Sequence, residues 1–291
     1  MDQERVEKLW SLVDGPQRLS RWQKGQVLPG WICREDELGG YKARKYASLI
    51  PALRGHASVR LLGSSQSNNL LQLALRLRQE GIRPVYVQEG RPGPLRGNGL
   101  FSRIVLGDGY GAESEEIREI AEGASCVESL PGALTMAASM AENIAVHGAP
   151  SMIFIEAGSG FSAAALIFGM AFLGLQIPLK VVWLGDARGD FAGLLAGWRP
   201  AALALLGEIG PLPSWEILRP PTARSFGSIN RTILGEVVRL AQEEGLLVDP
   251  IYTAKLTLTA RSFPAPLDSL IYCGGGPLEL CGFQEQLASL M

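Results

Sequence analysis

The sequence predicts an α/β protein in which mostly parallel strands form two three-layer α/β/α lobes with a ligand cleft between them. Short apolar runs alternate with longer helical patterns along the chain, which is the arrangement that parallel sheets with crossover helices require. Two such series follow one another. Since ligands of parallel sheets bind beyond the carboxyl ends of the strands, we expect the functional site in the cleft.

The first series of elements begins at Ser58, where a buried strand is followed by a helix that ends at Gly81. We predict strands over 58–62, 84–88, 103–106 and 124–127, helices over 70–79, 113–122 and 133–146, and a loop rich in glycine and proline over 91–99. This series corresponds to a predicted small domain, residues 57–146.

The second series fills the rest of the chain, and its most strongly periodic helix covers 230–244. We predict strands over 151–156, 179–184, 215–218 and 269–273, and helices over 161–175, 190–206, 230–244 and 252–261. Together with the N-terminal segment these elements form a predicted large domain, residues 1–56 plus 147–291.

Composition excludes several classes of function. The 291 residues are 47% apolar with a formal charge of −2, which predicts a folded core and gives no reason to expect a nucleic-acid or membrane partner. Two histidines and four cysteines without a CxxC pair predict no metal site and free thiols. The most apolar run, 163–175, is shorter than the roughly 20 residues that span a bilayer. With its charged N-terminus, the chain is predicted to be cytoplasmic.

Two segments together predict a pyridoxal phosphate site. Lys42 follows the glycine pair Gly39-Gly40 and precedes a helical run, and a Schiff-base lysine must be shielded and aimed at a carbonyl. The loop 64–69, rich in serine and asparagine, joins a strand to a helix, whose N-terminus can hold an anion. Taken alone, Lys42 is equally typical of a solvated helix face and Ser67 of a helix N-cap.

Five sequence blocks, in order, resemble the family of 1-aminocyclopropane-1-carboxylate deaminases and D-cysteine desulfhydrases. These are fold-type II pyridoxal phosphate enzymes related to the tryptophan synthase β-subunit. The blocks are 33–45, 66–69, 158–162, 249–255 and 272–276. The resemblance implies a tryptophan synthase β-like fold, pyridoxal 5′-phosphate as cofactor, a small amino-acid substrate and a homodimer, for which the apolar N-terminal segment 6–13 is a candidate interface.

The resemblance also implies roles for residues of the first two blocks. Lys42 matches the Schiff-base lysine. Asn68 matches the asparagine that hydrogen-bonds the phenolic oxygen of the cofactor, and Ser67 matches a serine beside the substrate. Asn69, with Asn68, is implied in holding the substrate carboxylate at the helix N-terminus.

The later blocks complete the implied site. The segment Gly158, Ser159, Gly160, Phe161 and Ser162 matches the phosphate-binding loop, in which Phe161 replaces a glycine and Ser162 a threonine. Tyr252 matches a tyrosine that contacts the substrate and takes part in catalysis. Thr253 matches the position facing the pyridine nitrogen, where the deaminases have glutamate and the desulfhydrase-like members have threonine.

We therefore predict an enzyme that catalyses α,β-elimination on a D-cysteine-like amino acid. Racemisation and β-replacement on the same fold are the alternatives within the enzyme class. A diverged paralogue that binds a ligand without turnover is the alternative from another class, because Tyr41, Phe161 and Phe226 depart from the family pattern. A nucleotide-binding oxidoreductase ranks last, since Gly158-Ser159-Gly160 lacks the third glycine of the dinucleotide fingerprint.

Overall fold

The structure, a computed structural model, describes residues 2–87, 96–111, 117–185 and 189–290. Most of the predicted loop 91–99 lies outside these residues. The strands are β1 Arg21–Lys24, β2 Trp31–Arg34, β3 Ser58–Leu61, β4 Arg83–Tyr86, β5 Arg118–Ile120, β6 Ile153–Ala157, β7 Leu179–Trp183, β8 Trp215–Leu218 and β9 Leu270–Cys273. The helices are α1 Gln3–Trp10, α2 Gly40–Leu53, α3 Asn68–Gln79, α4 Gly97–Leu106, α5 Leu130–His147, α6 Phe161–Leu173, α7 Phe191–Leu206, α8 Arg231–Glu243, α9 Thr253–Ser262 and α10 Gln284–Ala288.

A six-stranded sheet forms the centre of the larger lobe. Its strand order is β1-β2-β9-β6-β7-β8, and every pairing except the antiparallel β1–β2 pair is parallel. Helices α1, α5, α6 and α7 cover one face and α8 and α9 cover the other. The lobe therefore has the predicted three layers, and the four strands predicted for the second series are all present.

Helix α6 is buried along its whole length, which explains its apolar sequence. Gly169 lets it approach α5, because a Cβ at that position would lie 2.5 Å from the Cβ of Ala137. Overlap at that distance would force the two helices apart. The described residues contain no helix long and apolar enough to cross a membrane.

The N-terminal segment proposed as a dimer interface is part of the chain's own core. Val6, Leu9 and Trp10 of α1 are buried against α5 and α6, and the Trp10 Nε1 donates to Glu142 Oε1 over 2.6 Å. This apolar face is already covered, so the interface prediction for it is wrong.

A three-stranded parallel sheet of order β4-β3-β5 forms the smaller lobe. Its third strand, β5, lies where we predicted a helix over 113–122, of which 113–116 fall outside the described residues. The prediction followed the helix propensity of the glutamates. Pairing of Arg118–Ile120 with the open edge of β3 outweighs this helix propensity. Arg60 of β3 also forms an ion pair with Glu119.

Two other predicted strands of the smaller lobe are also wrong. Residues 103–106 belong to α4, whose buried residues Gly99, Ser102 and Leu106 follow helical spacing and face α3. Residues 124–127 run from the end of the 3₁₀ turn Glu122–Ala124, in which Gly123 has a φ of +72°, to the start of the 3₁₀ turn Val127–Ser129. The β-branched residues of both segments suggested strands, but neither segment finds a strand to pair with in the described structure.

Helix α2 connects the cores of the two lobes. The C-terminal half of α2 packs into the core of the small sheet through Tyr46, Leu49 and Leu53. Most of α5 lies in the core of the large sheet, although the predicted boundaries put it in the small domain. The division into 1–56 plus 147–291 and 57–146 stays a prediction.

Candidate active site

A cavity of about 560 Å³ lies beyond the carboxyl end of β6, with walls from both lobes. This volume is within the roughly 300–1,000 Å³ of small-molecule sites. Among the residues predicted from the sequence, those in the wall are Lys42, Ser67, Asn69, Gly158, Ser159, Gly160, Ser162 and Tyr252. Asn68, Phe161 and Thr253 are buried beside the cavity but are not among its lining residues.

Lys42 is held near the start of α2 by an unusually close backbone approach. Gly39 and Gly40 both have positive φ, at +91° and +74°, which favours glycine. A Cβ on Gly40 would lie 2.2 Å from the carbonyl oxygen of Gly274, so α2 begins directly against the loop after β9. The Lys42 Nζ is 5.5 Å from the ring centroid of Tyr252.

A buried ion pair anchors the same turn of α2. Arg44 donates from Nε to Glu35 Oε2 over 2.7 Å and from Nη2 to Glu35 Oε1 over 2.8 Å, and both side chains are fully buried. Its Nη1 donates to Thr135 Oγ1 on α5 over 3.2 Å. This bidentate geometry fixes the orientation of the helix that presents Lys42.

The N-terminus of α6 lies in the wall of the cavity. No side chain caps it in the described structure, and Gly160 precedes it with a φ of +80°. The first N–H groups of the helix are therefore available to a ligand. The Phe161 ring packs edge-on against Trp198 at 4.7 Å between centroids, so its bulk lies in the core and does not fill the cavity beside the loop 158–160.

Lys45 is a second lysine in the wall that the sequence prediction did not include. Its Nζ donates to the Gly123 carbonyl over 2.9 Å and lies 4.9 Å from the centroid of the Phe161 ring. Burial, with a smaller contribution from the charge of Lys42, lowers its pKa to about 7. Lys42 and Lys45 are three residues apart on α2, and residues at this spacing lie on one face of a helix. The sequence therefore contained a signal that Lys45 lies beside Lys42.

The small lobe contributes the N-terminus of α3. Ser67 caps the helix by accepting from the backbone N–H of Leu70 over 3.5 Å, so its own hydroxyl proton remains available to a ligand. The Asn69 Oδ1 accepts from the Tyr46 hydroxyl over 3.0 Å. The Asn68 Oδ1 instead accepts from Gln72 over 3.1 Å.

The start of α9 closes the opposite side. Asp249 accepts from the backbone N–H groups of Ile251, Tyr252 and Thr253 and so shapes the turn before the helix. The Tyr252 ring packs edge-on against Phe226, with 5.6 Å between centroids. Phe226 is half exposed at the cavity rim and gives this end an apolar wall.

Glu156 at the end of β6 is the other wall residue that sequence reasoning missed. It is buried, and its Oε2 accepts from the Tyr41 hydroxyl over 2.9 Å. Burial, with a smaller contribution from the nearby charge of Asp249, raises the pKa of Glu156 to about 8. Tyr41 thus turns its ring toward Glu156 and Gly274. A single acidic residue in an apolar strand is the only signal that the sequence offered.

Glu156 makes a testable contribution to pH-dependent stability. The unfolded chain releases its proton near pH 4.5 and the folded chain near pH 8, so folding stability is lost as the pH rises through this window. We expect the free energy of unfolding of the wild type to fall relative to Glu156→Gln by up to about 1.4 kcal/mol for each pH unit. Urea unfolding of both proteins across the window measures the difference, and parallel curves would contradict it.

The sequence and the fold of this chain are similar to those of known proteins. No model of a protein family matches the chain. The chain is 24% identical to the D-cysteine desulfhydrase of Yersinia pestis (strain Pestoides F) in an alignment of 279 positions that covers 85% of this chain and 84% of the relative. The chain is also similar to solved structures.

Two solved structures show the similarity of fold. A structure described as an ACC deaminase homologue superimposes with a TM-score of 0.82 at 20% identity and 100% coverage of both chains. A pyridoxal 5′-phosphate-dependent aspartate racemase superimposes with a TM-score of 0.58 at 12% identity, over 95% of both chains. The predicted resemblance and the predicted α/β fold are therefore confirmed.

Proposed function

We propose that this chain, which has the fold-type II architecture of the 1-aminocyclopropane-1-carboxylate deaminase and D-cysteine desulfhydrase family, binds pyridoxal 5′-phosphate and eliminates a β-substituent from a small amino acid. The proposal is supported above all by two lysines and an uncapped helix N-terminus around one cavity. D-Cysteine is the substrate that we propose, in keeping with the named relative.

The residues present fit this cofactor. A phosphate group requires N–H donors and positive charge, which the start of α6 and Lys45 supply. An aldehyde requires an amine in the wall, which Lys42 supplies. Gly158 leaves space for a flat ring, because a Cβ there would lie 3.2 Å from the Tyr252 ring.

Bound pyridoxal phosphate supplies an electron sink that makes the α-proton of an attached amino acid acidic. Lys42 then accepts the α-proton on its amine. The Ser67 hydroxyl and the first N–H groups of α3 hold the substrate carboxylate. Tyr252 donates a proton to the leaving sulfur, and Phe226 excludes water from that end of the cavity. The overall reaction is D-cysteine plus water to pyruvate, hydrogen sulfide and ammonia.

The decisive experiment follows absorbance and products on the purified chain. We expect added cofactor to give a visible band distinct from that of free cofactor, and borohydride to fix the cofactor on the peptide that contains Lys42. With D-cysteine, pyruvate and sulfide should form in equal amounts. The absence of a protein-bound band would contradict cofactor binding.

The same assay separates the alternatives within and outside the enzyme class. Change of optical rotation without pyruvate would indicate racemisation, for which the aspartate racemase neighbour is the structural precedent. Cofactor bound without any turnover of D- and L-amino acids would indicate a ligand-binding paralogue. The ring positions of Tyr41 and Phe161 leave the cavity open and so favour the enzyme.

Lys45→Met tests the phosphate side of the cavity. We expect this variant to bind pyridoxal phosphate roughly 10- to 150-fold more weakly, since a hydrogen bond to a charged group contributes about 1.5–3 kcal/mol. Binding of pyridoxal, which lacks the phosphate, should be nearly unchanged. Fluorescence titration with both compounds measures the two affinities.

A matched control uses the exposed Lys24, whose Nζ lies 5.1 Å from the Trp31 ring centroid outside the cavity. Lys24→Met removes a lysine with a similar aromatic contact and should not change either affinity. Equal weakening of both compounds by Lys45→Met would contradict the assignment of Lys45 to the phosphate.

A further inference from the structure

Glu156 and Tyr41 form a hydrogen-bonded pair in the cavity wall to which the proposed elimination assigns no role. The Tyr41 hydroxyl is 2.9 Å from Glu156 Oε2 and 3.3 Å from the Tyr272 carbonyl oxygen. Lys42, the next residue on α2, lines the same cavity. A buried carboxyl group with an aimed partner, beside a reactive lysine, is the kind of group that exchanges a proton with a ligand.

We propose that Glu156 donates its proton to the ring nitrogen of bound pyridoxal phosphate and that Tyr41 is the positioning residue for this transfer. The inference rests on the proposed function and concerns the same cavity. It identifies a carboxyl group for the cofactor's nitrogen at the end of β6, where the resemblance to known enzymes assigns none.

The chemistry of the cofactor leaves the nitrogen as the group that matches Glu156. The phosphate is anionic and matches the α6 N-terminus and Lys45, while the aldehyde matches Lys42. The phenolic oxygen carries negative charge and is repelled by a carboxylate. The ring nitrogen is the remaining basic atom and carries no negative charge, and a carboxylic acid is a suitable donor to it. Once it is protonated, the nitrogen forms an ion pair with the carboxylate left behind.

The local packing favours Glu156 over Thr253 for this task. The two side chains flank consecutive glycines, since a Cβ on Gly274 would lie 2.6 Å from Glu156 Oε1 and a Cβ on Gly275 would lie 3.0 Å from Thr253 Oγ1. Thr253 Oγ1 accepts from the Gly275 N–H over 3.0 Å, and its hydroxyl can offer a hydrogen bond but is too weak an acid to transfer a proton to a pyridine nitrogen. Glu156 lines the cavity, and Thr253 is fully buried beside it.

The Tyr41 hydroxyl accommodates both charge states of its neighbour. While Glu156 is protonated, the hydroxyl can donate to the Tyr272 carbonyl and accept from the acid. After transfer, the O–H bond of Glu156 is broken, an N–H bond is formed with the nitrogen lone pair, and Tyr41 donates to the carboxylate. The ionisable groups that face Glu156 are Tyr41 and Lys42 from α2, Asp249 from the turn before α9, and Cys273 from β9.

The test is the ¹⁵N NMR spectrum of cofactor labelled at the ring nitrogen and bound to the full chain. We expect the upfield position of a protonated pyridine in the wild type and the downfield position of an unprotonated one in Glu156→Gln, because glutamine offers a hydrogen bond but no acidic proton. A downfield signal in the wild type, or the same upfield signal in both proteins, would overturn the proposal.

Two tyrosine variants keep the test decisive if Glu156→Gln does not fold. Tyr41→Phe removes the hydroxyl that stabilises the carboxylate, so its signal should move downfield. Tyr272→Phe is the matched control, because the Tyr272 hydroxyl is buried without a hydrogen-bond partner among the described residues. Its signal should match the wild type. An unmoved Tyr41→Phe signal would refute the positioning role. Failure of every protein to bind cofactor would instead refute the proposed function itself.

Discussion

Replacing Lys42 by alanine should lower turnover of D-cysteine at least about a thousandfold, the scale of loss when a group at the centre of a catalytic unit is removed. The variant lacks the amine that we propose both attaches the cofactor and accepts the α-proton. The visible band of the bound cofactor should shift to that of an unattached aldehyde. Borohydride should no longer fix the cofactor on the chain.

The variant should still hold the phosphate, because Lys45 and the start of α6 are unchanged. We therefore expect cofactor affinity to fall far less than turnover. Lys42→Arg is the companion variant, since it keeps a positive charge near the Tyr252 ring but cannot form an imine. Recovery of turnover in Lys42→Arg would show that charge alone is required, and would contradict the assigned role.

Replacing Arg44 by methionine should destabilise the fold by about 3–5 kcal/mol, the usual effect of removing one partner from a buried ion pair. Glu35 would be left without its charged partner at a position with no solvent exposure. The double variant Glu35→Leu/Arg44→Met removes both charges and should recover much of the loss. Urea unfolding midpoints of the three proteins measure these differences.

The exposed pair Arg54–Glu80 is the matched control, because its N–O distance of 3.1 Å resembles that of the buried pair while the Arg54 side chain is 63% exposed. Arg54→Met should cost less than about 1 kcal/mol. If Arg44→Met were no more destabilising than Arg54→Met, the buried pair would not be what holds α2 in place.

The sequence predicted those parts of the site that are local. Gly39-Gly40 before Lys42, and Ser67 before α3, are signals contained within a few residues, and the structure brings both segments to one cavity. The second series of strands was also predictable, because the strands are bounded by loops and separated by long helices. The loop 158–160 follows β6 directly, and α6 begins immediately after it.

Features that depend on distant parts of the chain were missed. The strand β5 exists because the edge of β3 is open, and no property of residues 118–120 alone indicates that. Glu156 acquires its environment from Tyr41, which is 115 positions away. Asn68 and Asn69 are adjacent in sequence, but they point in different directions from the first turn of α3. Asn69 therefore lines the cavity, whereas Asn68 bonds to Gln72.

The position of helix α2 has a consequence for how the two lobes can move. Its first turn is clamped to the large sheet through Gly40 and Arg44, while its last turns belong to the core of the small sheet. Any rocking of one lobe against the other would have to tilt or bend this helix, because its two ends belong to different cores. Lys42 lies at the end of α2 that is fixed to the large sheet, where its displacement would be smallest. Ser67 belongs to the small lobe and would move with it. Opening the cleft would therefore move the wall that contains Ser67 away from the cavity, while the Lys42 amine stays in place.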